Sequence, residues 1–472
     1  MLRALVTWLQ RARIPLALYV LSAGVYCAVL GPRLLETSPD NHYAHLAQGF
    51  LEGRLSLPGR PPGTNDWACF DTHLRGPCPP GFFFPRAEPG RYVWYVSFPP
   101  FPGLVIAPLV AVLGVDAPDR LFWALLAGLG PALLFVTLRR LREDGVSERT
   151  QRDDLLLTLL FAFGSVFFFV AVQGTVWFAA HVVATTLLCL FVHFGIGARR
   201  PVLAGLMLGL CFLTRPTTAA LAILMALEIV RVTQRERARL PPSESDAPTT
   251  GDGVAPGNAR SESLWAALRN VEWSRALRLG ALFSAPILVC GGIAMWMNDA
   301  RFDDPFEFGH SLLQIGWRGR IDKWGLFNYH YVARNLAVFT SSLPWLTAEP
   351  PHVIISRHGL ALWVTTPALL MLLSPVRQSP VLRALTWAVI PVIILNLMYQ
   401  NSGWVQFGYR FALDYLPLLF VMLALGGRRF GKVFLATGVF AIVVNTFGAV
   451  TFDRAGQFYD NDRTQTVLFQ PD

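Results

Sequence analysis

The sequence predicts an all-α protein that crosses a membrane many times, with about 11 transmembrane helices and a range of about 10–13. Two observations carry this prediction. Of the 472 residues, 53% are hydrophobic and 15% are charged, whereas a soluble domain is about a quarter charged. Apolar runs of roughly 12–20 residues recur along the whole chain, and the short segments between them hold most of the basic residues, as expected of cytoplasmic loops.

The first apolar segment, residues 14–30, follows a basic stretch with Arg3, Arg11 and Arg13. We interpret it as an uncleaved signal-anchor that leaves the N-terminus in the cytoplasm, because it lacks a small-residue cleavage site. Residues 31–99 then form a large first outer loop, whose Pro, Gly and aromatic residues predict an ordered structure against the membrane.

The rest of the chain divides into two membrane halves. The first half, residues 1–230, contains an apolar but short run at 99–113, which either crosses the membrane or lies in its interface. A longer run at 155–172 predicts a single span. Residues 231–276 are rich in Pro, Ser, Gly and Asp and predict a disordered cytoplasmic linker. The second half, residues 277–472, carries a second large outer loop at 298–356.

The net charge is +9, and we attribute it to the positive-inside rule rather than to nucleic-acid binding. The basic residues are therefore expected to contact membrane lipids. Cys69 and Cys78 lie in one polar loop and can form a disulfide if that loop faces an oxidising compartment. The other four cysteines lie in apolar segments, where buried packing is expected.

Polar side chains cluster in the predicted outer loops. Asp40, His42 and Tyr43 follow the first apolar segment, at the predicted mouth of the first helix. The second loop adds Arg301 and Glu307, and the turn between the last helices adds Arg410. Arg215 lies in a break between two short apolar runs. Their convergence on one face predicts a site.

Such groups suit transfer from a lipid-phosphate donor. A carboxylate can deprotonate an acceptor, arginines can bind and stabilise a phosphate leaving group, and short helices with aromatics can form a groove for a lipid chain. Simpler roles are open: Asp40 can cap a helix that starts near Asn41. Arg301 and Arg410 can anchor the chain at the membrane interface.

Short motifs at these positions resemble the GT-C superfamily of integral membrane glycosyltransferases, which includes protein O-mannosyltransferases and lipid A aminoarabinose transferases. The motifs cover most of the predicted spans. They are Asp40 followed by Tyr43-x-x-Leu46-Ala47 and Glu52-Gly53-Arg54-Leu55, Leu213-Thr214-Arg215-Pro216, the stretch Arg-Phe-x-x-Pro-Phe-Glu-Phe-Gly at 301–309, and Gly-x-x-Gln-Phe-Gly-Tyr-Arg at 403–410.

The resemblance implies a GT-C-like fold in a bacterial inner membrane and an active site on the periplasmic face. The implied donor is a sugar on a polyprenyl phosphate, and the acceptor is a glycan, lipid or protein. Asp40 matches the first-loop acid that acts as catalytic base or orients the acceptor, and Arg301 and Arg410 match donor-phosphate positions. Many relatives have Asp-Glu where this chain has Asp40-Asn41, so the participation of a divalent metal is left open.

The sequence therefore supports two main hypotheses, and a structural membrane subunit with a degenerate site is a third. The leading one is a membrane glycosyltransferase with Asp40 as base and with His42, Tyr43, Arg215, Arg301, Glu307 and Arg410 as substrate-binding residues. The alternative is a transporter or flippase of a lipid-linked saccharide. A transporter needs charges along a path through the membrane, and the predicted spans are nearly free of charge.

Overall fold

A computed structural model describes residues 2–79, 90–234, 270–315 and 317–460, with side chains from Arg11 to Tyr459. The described chain is mostly helical. The helices are α1 (Leu2–Leu30), α2 (His42–Leu51), α3 (Phe101–Leu113), α4 (Asp119–Ala127), α5 (Leu129–Glu143), α6 (Gln151–Phe163), α7 (Val166–Ala171), α8 (Val176–Gly195), α9 (Pro201–Phe212), α10 (Ala222–Thr233), α11 (Trp273–Phe302), α12 (Arg318–Trp324), α13 (Val332–Ser341), α14 (Leu362–Thr365), α15 (Pro380–Met398), α16 (Leu416–Leu425) and α17 (Lys432–Thr451).

The chain is a multi-pass membrane protein. Seven of the described helical segments are long and apolar enough to cross a membrane, and α3, α9 and α16 are shorter apolar helices. The segment predicted as one span at 155–172 is divided between α6 and α7, because Ser165 accepts a hydrogen bond from the backbone of Phe167 and so starts a new helix. Most of the predicted linker, residues 235–269, lies outside the described residues.

The helix α8 lies at the centre of the bundle and is buried over most of its length. It packs against α5, α9 and α16, whereas α11 packs mainly on α9 at the edge of the bundle. The contact between α9 and α11 is close because Gly205 and Gly209 have no side chains to separate the helices. A Cβ at Gly205 would overlap the carbonyl of Phe283, and one at Gly209 would lie 2.8 Å from the Cys290 sulfur.

The first outer loop contains a three-stranded antiparallel sheet in the order β2-β1-β3. Its strands are β1 (Trp67–Asp71), β2 (Gly76–Pro77) and β3 (Tyr92–Val96). Cys69 in β1 forms a disulfide with Cys78, which confirms the predicted pairing. This loop is therefore ordered, as the sequence predicts, over the residues that the structure describes.

The two large outer loops form one unit. The backbone N–H of Cys69 donates to the carbonyl of Leu312, and the carbonyl of Cys78 accepts hydrogen bonds from Gln314 and Arg318. A second sheet joins the second loop to the chain after α17, with strands β4 (Trp345–Leu346), β5 (Val353–Ser356) and β6 (Tyr459–Asp460). The 13-residue α3 packs mainly on α2, a helix of the first outer loop, which favours an interfacial position for α3.

Candidate active site

The predicted outer loops converge on one cavity of about 770 Å³. Residues from the first loop, the second loop, the 399–411 segment and the start of α8 all line it. Its walls are largely aromatic and apolar, as is usual for ligand-binding cavities. Four of the seven residues predicted to act in catalysis or substrate binding line the cavity, namely Asp40, Tyr43, Arg215 and Arg410.

Asp40 lies at the cavity wall just before α2 and is half-buried. Asn41 occupies the N-cap position of α2, and no side-chain capping bond is present there, so Asp40 does not cap the helix. One Asp40 carboxylate oxygen accepts a hydrogen bond from the amide of Asn65 at 3.2 Å, and its carbonyl accepts from the backbone of Val176. Burial raises the pKa of Asp40, and the Asn65 bond opposes this shift.

Asp66 is a second carboxylate in the cavity, and the sequence did not single it out as a site residue. The Trp177 indole donates a 2.7 Å hydrogen bond to its carboxylate. Burial raises the pKa of Asp66 to about 6, the Trp177 bond opposes the shift, and the nearby Asp40 adds to it. Asp66 also has a positive backbone φ of 55°. A carboxyl group whose pKa is raised by burial and by a neighbouring carboxylate is a common feature of acid–base sites.

His42 supports the site from behind and does not line the cavity. Its ring stacks on Trp67 at 3.9 Å, and Nε2 lies 2.8 Å from the carbonyl of Asn65. Burial lowers the pKa of His42 to about 4, so the ring is neutral. Its neighbour Tyr43 does line the cavity, and the Tyr43 hydroxyl is buried with no hydrogen-bond partner in the described residues.

Arg215 is held by a buried carboxylate. Its Nε and one terminal nitrogen donate to the two oxygens of Asp414, each at 2.9 Å. Asp414 is fully buried and also accepts hydrogen bonds from Thr217 and Asn396. The Arg215 charge is therefore compensated within the protein, and this bidentate geometry fixes the guanidinium at the cavity wall.

Arg410 differs from Arg215 because no carboxylate pairs with it in the described part of the chain. It is 5% exposed, lies over the ring of Phe178, and donates one hydrogen bond to the carbonyl of Val405. Its Nε is buried without a partner. A buried cation without a counter-ion is costly, and this one faces a cavity, so it is suited to bind an anion.

The Gly-x-x-Gln-Phe-Gly-Tyr-Arg motif explains how Arg410 is held. The Gln406 amide nitrogen donates to the carbonyls of His358 and Ser402, and its oxygen accepts from the backbone N–H of Arg410. Gly403, at φ +100°, lies directly beneath the Gln406 side chain, where a Cβ would clash. The motif therefore folds the chain around Gln406 and presents the arginine to the cavity.

Two further arginines line the cavity without carboxylate partners among the described residues, and the sequence analysis did not identify either. They are Arg357 and Arg454. Arg454 donates one hydrogen bond to the carbonyl of Val29, and its Nε and other terminal nitrogen are buried without partners. With Arg215 neutralised by Asp414, the cavity wall carries three other arginines and three aspartates, which are Asp40, Asp66 and Asp453.

Arg301 and Glu307 do not line this cavity. The Arg301 guanidinium is 4% exposed and donates to the carbonyls of Val96 and Met297 and to the side chain of Asn298. The Glu307 carboxylate closes a turn by accepting from Gly309 and Ser311. The 301–309 motif thus joins the end of α11 to the first-loop sheet and positions the site from outside.

In the described ranges, no group of three or more His, Cys, Asp or Glu side chains is arranged to hold a metal ion. His42 and His45, which lie three positions apart, both pack on the ring of Trp67. The carboxylates that face the cavity are Asp40, Asp66 and Asp453, and a divalent metal would have to use these. The participation of a metal stays a prediction.

No protein-family profile and no curated protein matches the sequence. Solved structures do match. One is ArnT from Cupriavidus metallidurans bound to undecaprenyl phosphate, with 12% identity, a TM-score of 0.47, and coverage of 90% of this chain and 62% of ArnT. Another is the oligosaccharyltransferase AglB from Archaeoglobus fulgidus in complex with an inhibitory peptide and a dolichol-phosphate, with 13% identity, a TM-score of 0.44, and coverage of 98% and 58%.

A further structure of the Archaeoglobus fulgidus oligosaccharyltransferase, tethered to an acceptor peptide with the NVT sequon, matches at 14% identity and a TM-score of 0.43, covering 96% of this chain and 57% of that one. ArnT and AglB are GT-C proteins, the group that the sequence motifs resemble. This chain spans about three fifths of their length. The likeness concerns the fold alone, and the function proposed below is argued from the residues of the cavity.

Proposed function

We propose that this protein is a membrane glycosyltransferase that moves a sugar from a polyprenyl-phosphate-linked donor to an acceptor on the outer, periplasmic face of a bacterial inner membrane. The observation that carries the proposal is the composition of the cavity. It brings two carboxylates, Asp40 and Asp66, into one cavity with aromatic walls and with Arg410, a buried arginine that forms no salt bridge in the described part of the chain. Acid–base chemistry and anion binding in one apolar cavity are the two requirements of this reaction.

In the proposed reaction, Asp40 accepts the proton of the acceptor hydroxyl or amine. The acceptor atom then forms a bond to the anomeric carbon of the donor sugar, and the bond from that carbon to the phosphate oxygen breaks. The electron pair leaves with the phosphate. Its growing negative charge is stabilised by Arg410, which is already desolvated and fixed, so that little reorganisation is needed.

Asp66 and Arg215 support this step from the cavity wall. Asp66 accepts from Trp177, and its remaining lone pairs can accept from an acceptor or sugar hydroxyl. Arg215 is neutralised by Asp414, so we assign it to positioning rather than to binding the full charge of the phosphate. Tyr43, next to Arg215 in the cavity, offers a hydroxyl that no described residue uses.

The proposal is tested with the purified full-length protein in lipid vesicles, supplied with radiolabelled polyprenyl-phosphate sugars and a membrane-extract acceptor fraction. Asp40→Asn keeps the size of the side chain and removes the base, so transfer should fall at least about 100-fold, the lower end of what a general base contributes. Asp299→Asn is the matched control, because Asp299 is exposed and lies outside the cavity.

Full activity of Asp40→Asn contradicts the assignment of the base. Movement of the labelled lipid across the vesicle membrane with no modified acceptor contradicts transfer itself and supports the transporter alternative. Both the wild-type protein and Asp299→Asn should yield a labelled product.

A further inference from the structure

One end of the cavity is formed by two tryptophans from different loops. Trp317 lies just before α12 in the second outer loop, and Trp404 lies in the turn before Arg410. Their rings meet edge to face, with centroids 6.5 Å apart. Both side chains are half-buried, and neither indole N–H has a hydrogen-bond partner in the parts of the chain that the structure describes. Two indole rings and their N–H groups therefore belong to the wall of the same cavity.

Hydrogen bonds hold the two segments that carry the tryptophans. The residue after Trp317, Arg318, donates to the carbonyl of Cys78 in the disulfide-bonded loop at 3.1 Å. The Asn401 side-chain oxygen accepts from the backbone N–H groups of Gly403 and Trp404. These bonds hold the two segments in place before a ligand arrives, which lowers the entropy cost of binding.

Polar groups without partners surround this pair. Gln400 is 3% exposed and lines the cavity, and its side-chain oxygen is buried without a hydrogen-bond partner. Such an orphaned acceptor is costly unless a ligand satisfies it. Asn401 has used its oxygen, which leaves its NH₂ group for other partners. Arg357 lines the same cavity, without a carboxylate partner in the described ranges.

We propose that Trp317, Trp404, Gln400 and Asn401 form a saccharide-binding subsite. A sugar ring has an apolar C–H face, which suits an aromatic ring, and an edge of hydroxyls that both donate and accept. A prenyl chain would satisfy the ring faces and leave the Gln400 oxygen and both indole N–H groups unpaired. A saccharide satisfies all of them.

This inference rests on the proposed function for the identity of the molecule that carries the sugar. That molecule is either the lipid-linked donor or a glycan acceptor. The subsite adjoins the phosphate site, because Trp404 precedes Val405, whose carbonyl accepts from Arg410. Kinetics distinguish the two sources: loss of the subsite raises KM for the lipid-linked donor in one case and KM for the acceptor glycan in the other.

The experiment compares Trp404→Phe and Trp404→Leu in the full-length protein. Phe keeps a ring face and loses the N–H, whereas Leu keeps apolar volume and loses the ring. Binding of the detergent-solubilised protein to a broad glycan array is the first readout, and it does not require transfer activity. Trp345→Leu is the matched control, since Trp345 is 42% exposed, lies in the second outer loop with Trp317, and does not line the cavity.

A saccharide subsite predicts weaker glycan binding in the order wild type, Phe, Leu. The Phe variant should lose about threefold to tenfold, the worth of one neutral hydrogen bond, and the Leu variant should lose more. Gln400→Leu should lose binding by a similar factor. The Trp345→Leu control should bind like the wild type.

Three results overturn the proposal: no glycan retained by the wild type, equal retention by Trp404→Leu, or a Leu variant that is indistinguishable from Phe. The last result indicates a wall for the prenyl chain. If glycans bind as expected and no sugar is transferred, the subsite stands and the proposed reaction fails, so the two outcomes are separable.

Discussion

The sequence predicts that Arg301 and Arg410 both bind the donor phosphate. The structure gives the two arginines different surroundings. Arg301 makes three hydrogen bonds inside the protein, to two carbonyls and to Asn298, at 2.8–3.1 Å. Arg410 makes one side-chain bond, to the carbonyl of Val405, and faces the cavity with its Nε unpaired. Replacing each by Gln should therefore separate stability from activity.

For Arg301→Gln, the shorter neutral side chain cannot reach all three acceptors. Losing two hydrogen bonds from a charged donor, each worth about 1.5–3 kcal/mol, lowers the free energy of unfolding by about 3–6 kcal/mol. That is a large part of the roughly 5–15 kcal/mol available to a folded protein. The carbonyl of Val96 in the first-loop sheet is left unpaired, so the contact between α11 and the outer loop should loosen first. Transfer per folded molecule should change little.

For Arg410→Gln, the protein loses a buried cation that has no counter-ion, so the free energy of unfolding should change by less than about 1 kcal/mol. Transfer should fall about 100-fold to 1,000-fold, as it does when one preorganised donor to a developing negative charge is removed. The measurements are thermal unfolding in detergent and initial transfer rates normalised to folded protein. Arg383→Gln is the control, because Arg383 is exposed and distant from the cavity.

The reasoning is refuted if Arg410→Gln retains transfer within about threefold of the wild-type rate. It is also refuted if Arg301→Gln unfolds like the wild type but loses transfer by a factor comparable to that expected for Arg410→Gln, because Arg301 would then act on the phosphate directly. Loss of both properties in Arg410→Gln would give this arginine a structural role that its single hydrogen bond does not suggest.

Three further predictions concern pH, the disulfide and helix packing. Because the pKa of Asp66 is raised to about 6, its carboxylate is protonated below that pH. Transfer rates should therefore fall as the pH drops through about 6. The pH profile of Asp66→Asn should lack this fall. Joint replacement of Cys69 and Cys78 by Ala opens a loop with a sequence separation of 9 and should lower the free energy of unfolding by about 2–3 kcal/mol; thermal unfolding with and without a reductant checks this, and wild-type behaviour of the double variant contradicts it. Gly205→Ala forces a methyl group against the carbonyl of a neighbouring helix and should cost about 1–3 kcal/mol of unfolding free energy, whereas Gly280→Ala, with nothing within 4 Å, should unfold at the wild-type temperature.

The sequence predicted the membrane class, the ordered first outer loop and its disulfide, because each depends on composition or on residues near each other in the chain. It predicted a span at 155–172 as one helix, and the structure divides that segment at Ser165. A cap of this kind is a local hydrogen bond inside an apolar run, and hydropathy does not register it. The number of spans likewise depends on how short helices such as α9 and α16 meet the membrane.

The candidate site was only partly predictable. Asp40 and Arg410 were found because they lie in short motifs, whereas Asp66 and Asp414 lie outside the residues that those motifs emphasised. Asp66 follows Asn65, the partner of Asp40, and the fold alone shows that its carboxylate faces the same cavity. Asp414 is 199 positions from Arg215. A contact of that separation is visible only after both halves of the chain have folded together.

The sequence could not reveal which arginine charges are compensated inside the protein, and the proposed function depends on this property. Arg215 and Arg301 are satisfied within the protein, one by Asp414 and the other by backbone carbonyls and Asn298. Arg410 is desolvated without such compensation, and burial of an unpaired cation is tolerated only where something else repays it. An anion that enters the cavity offsets this cost. A bound phosphate is thus expected to stabilise Arg410, and the bond-breaking step, which increases the negative charge on the phosphate, strengthens this interaction further.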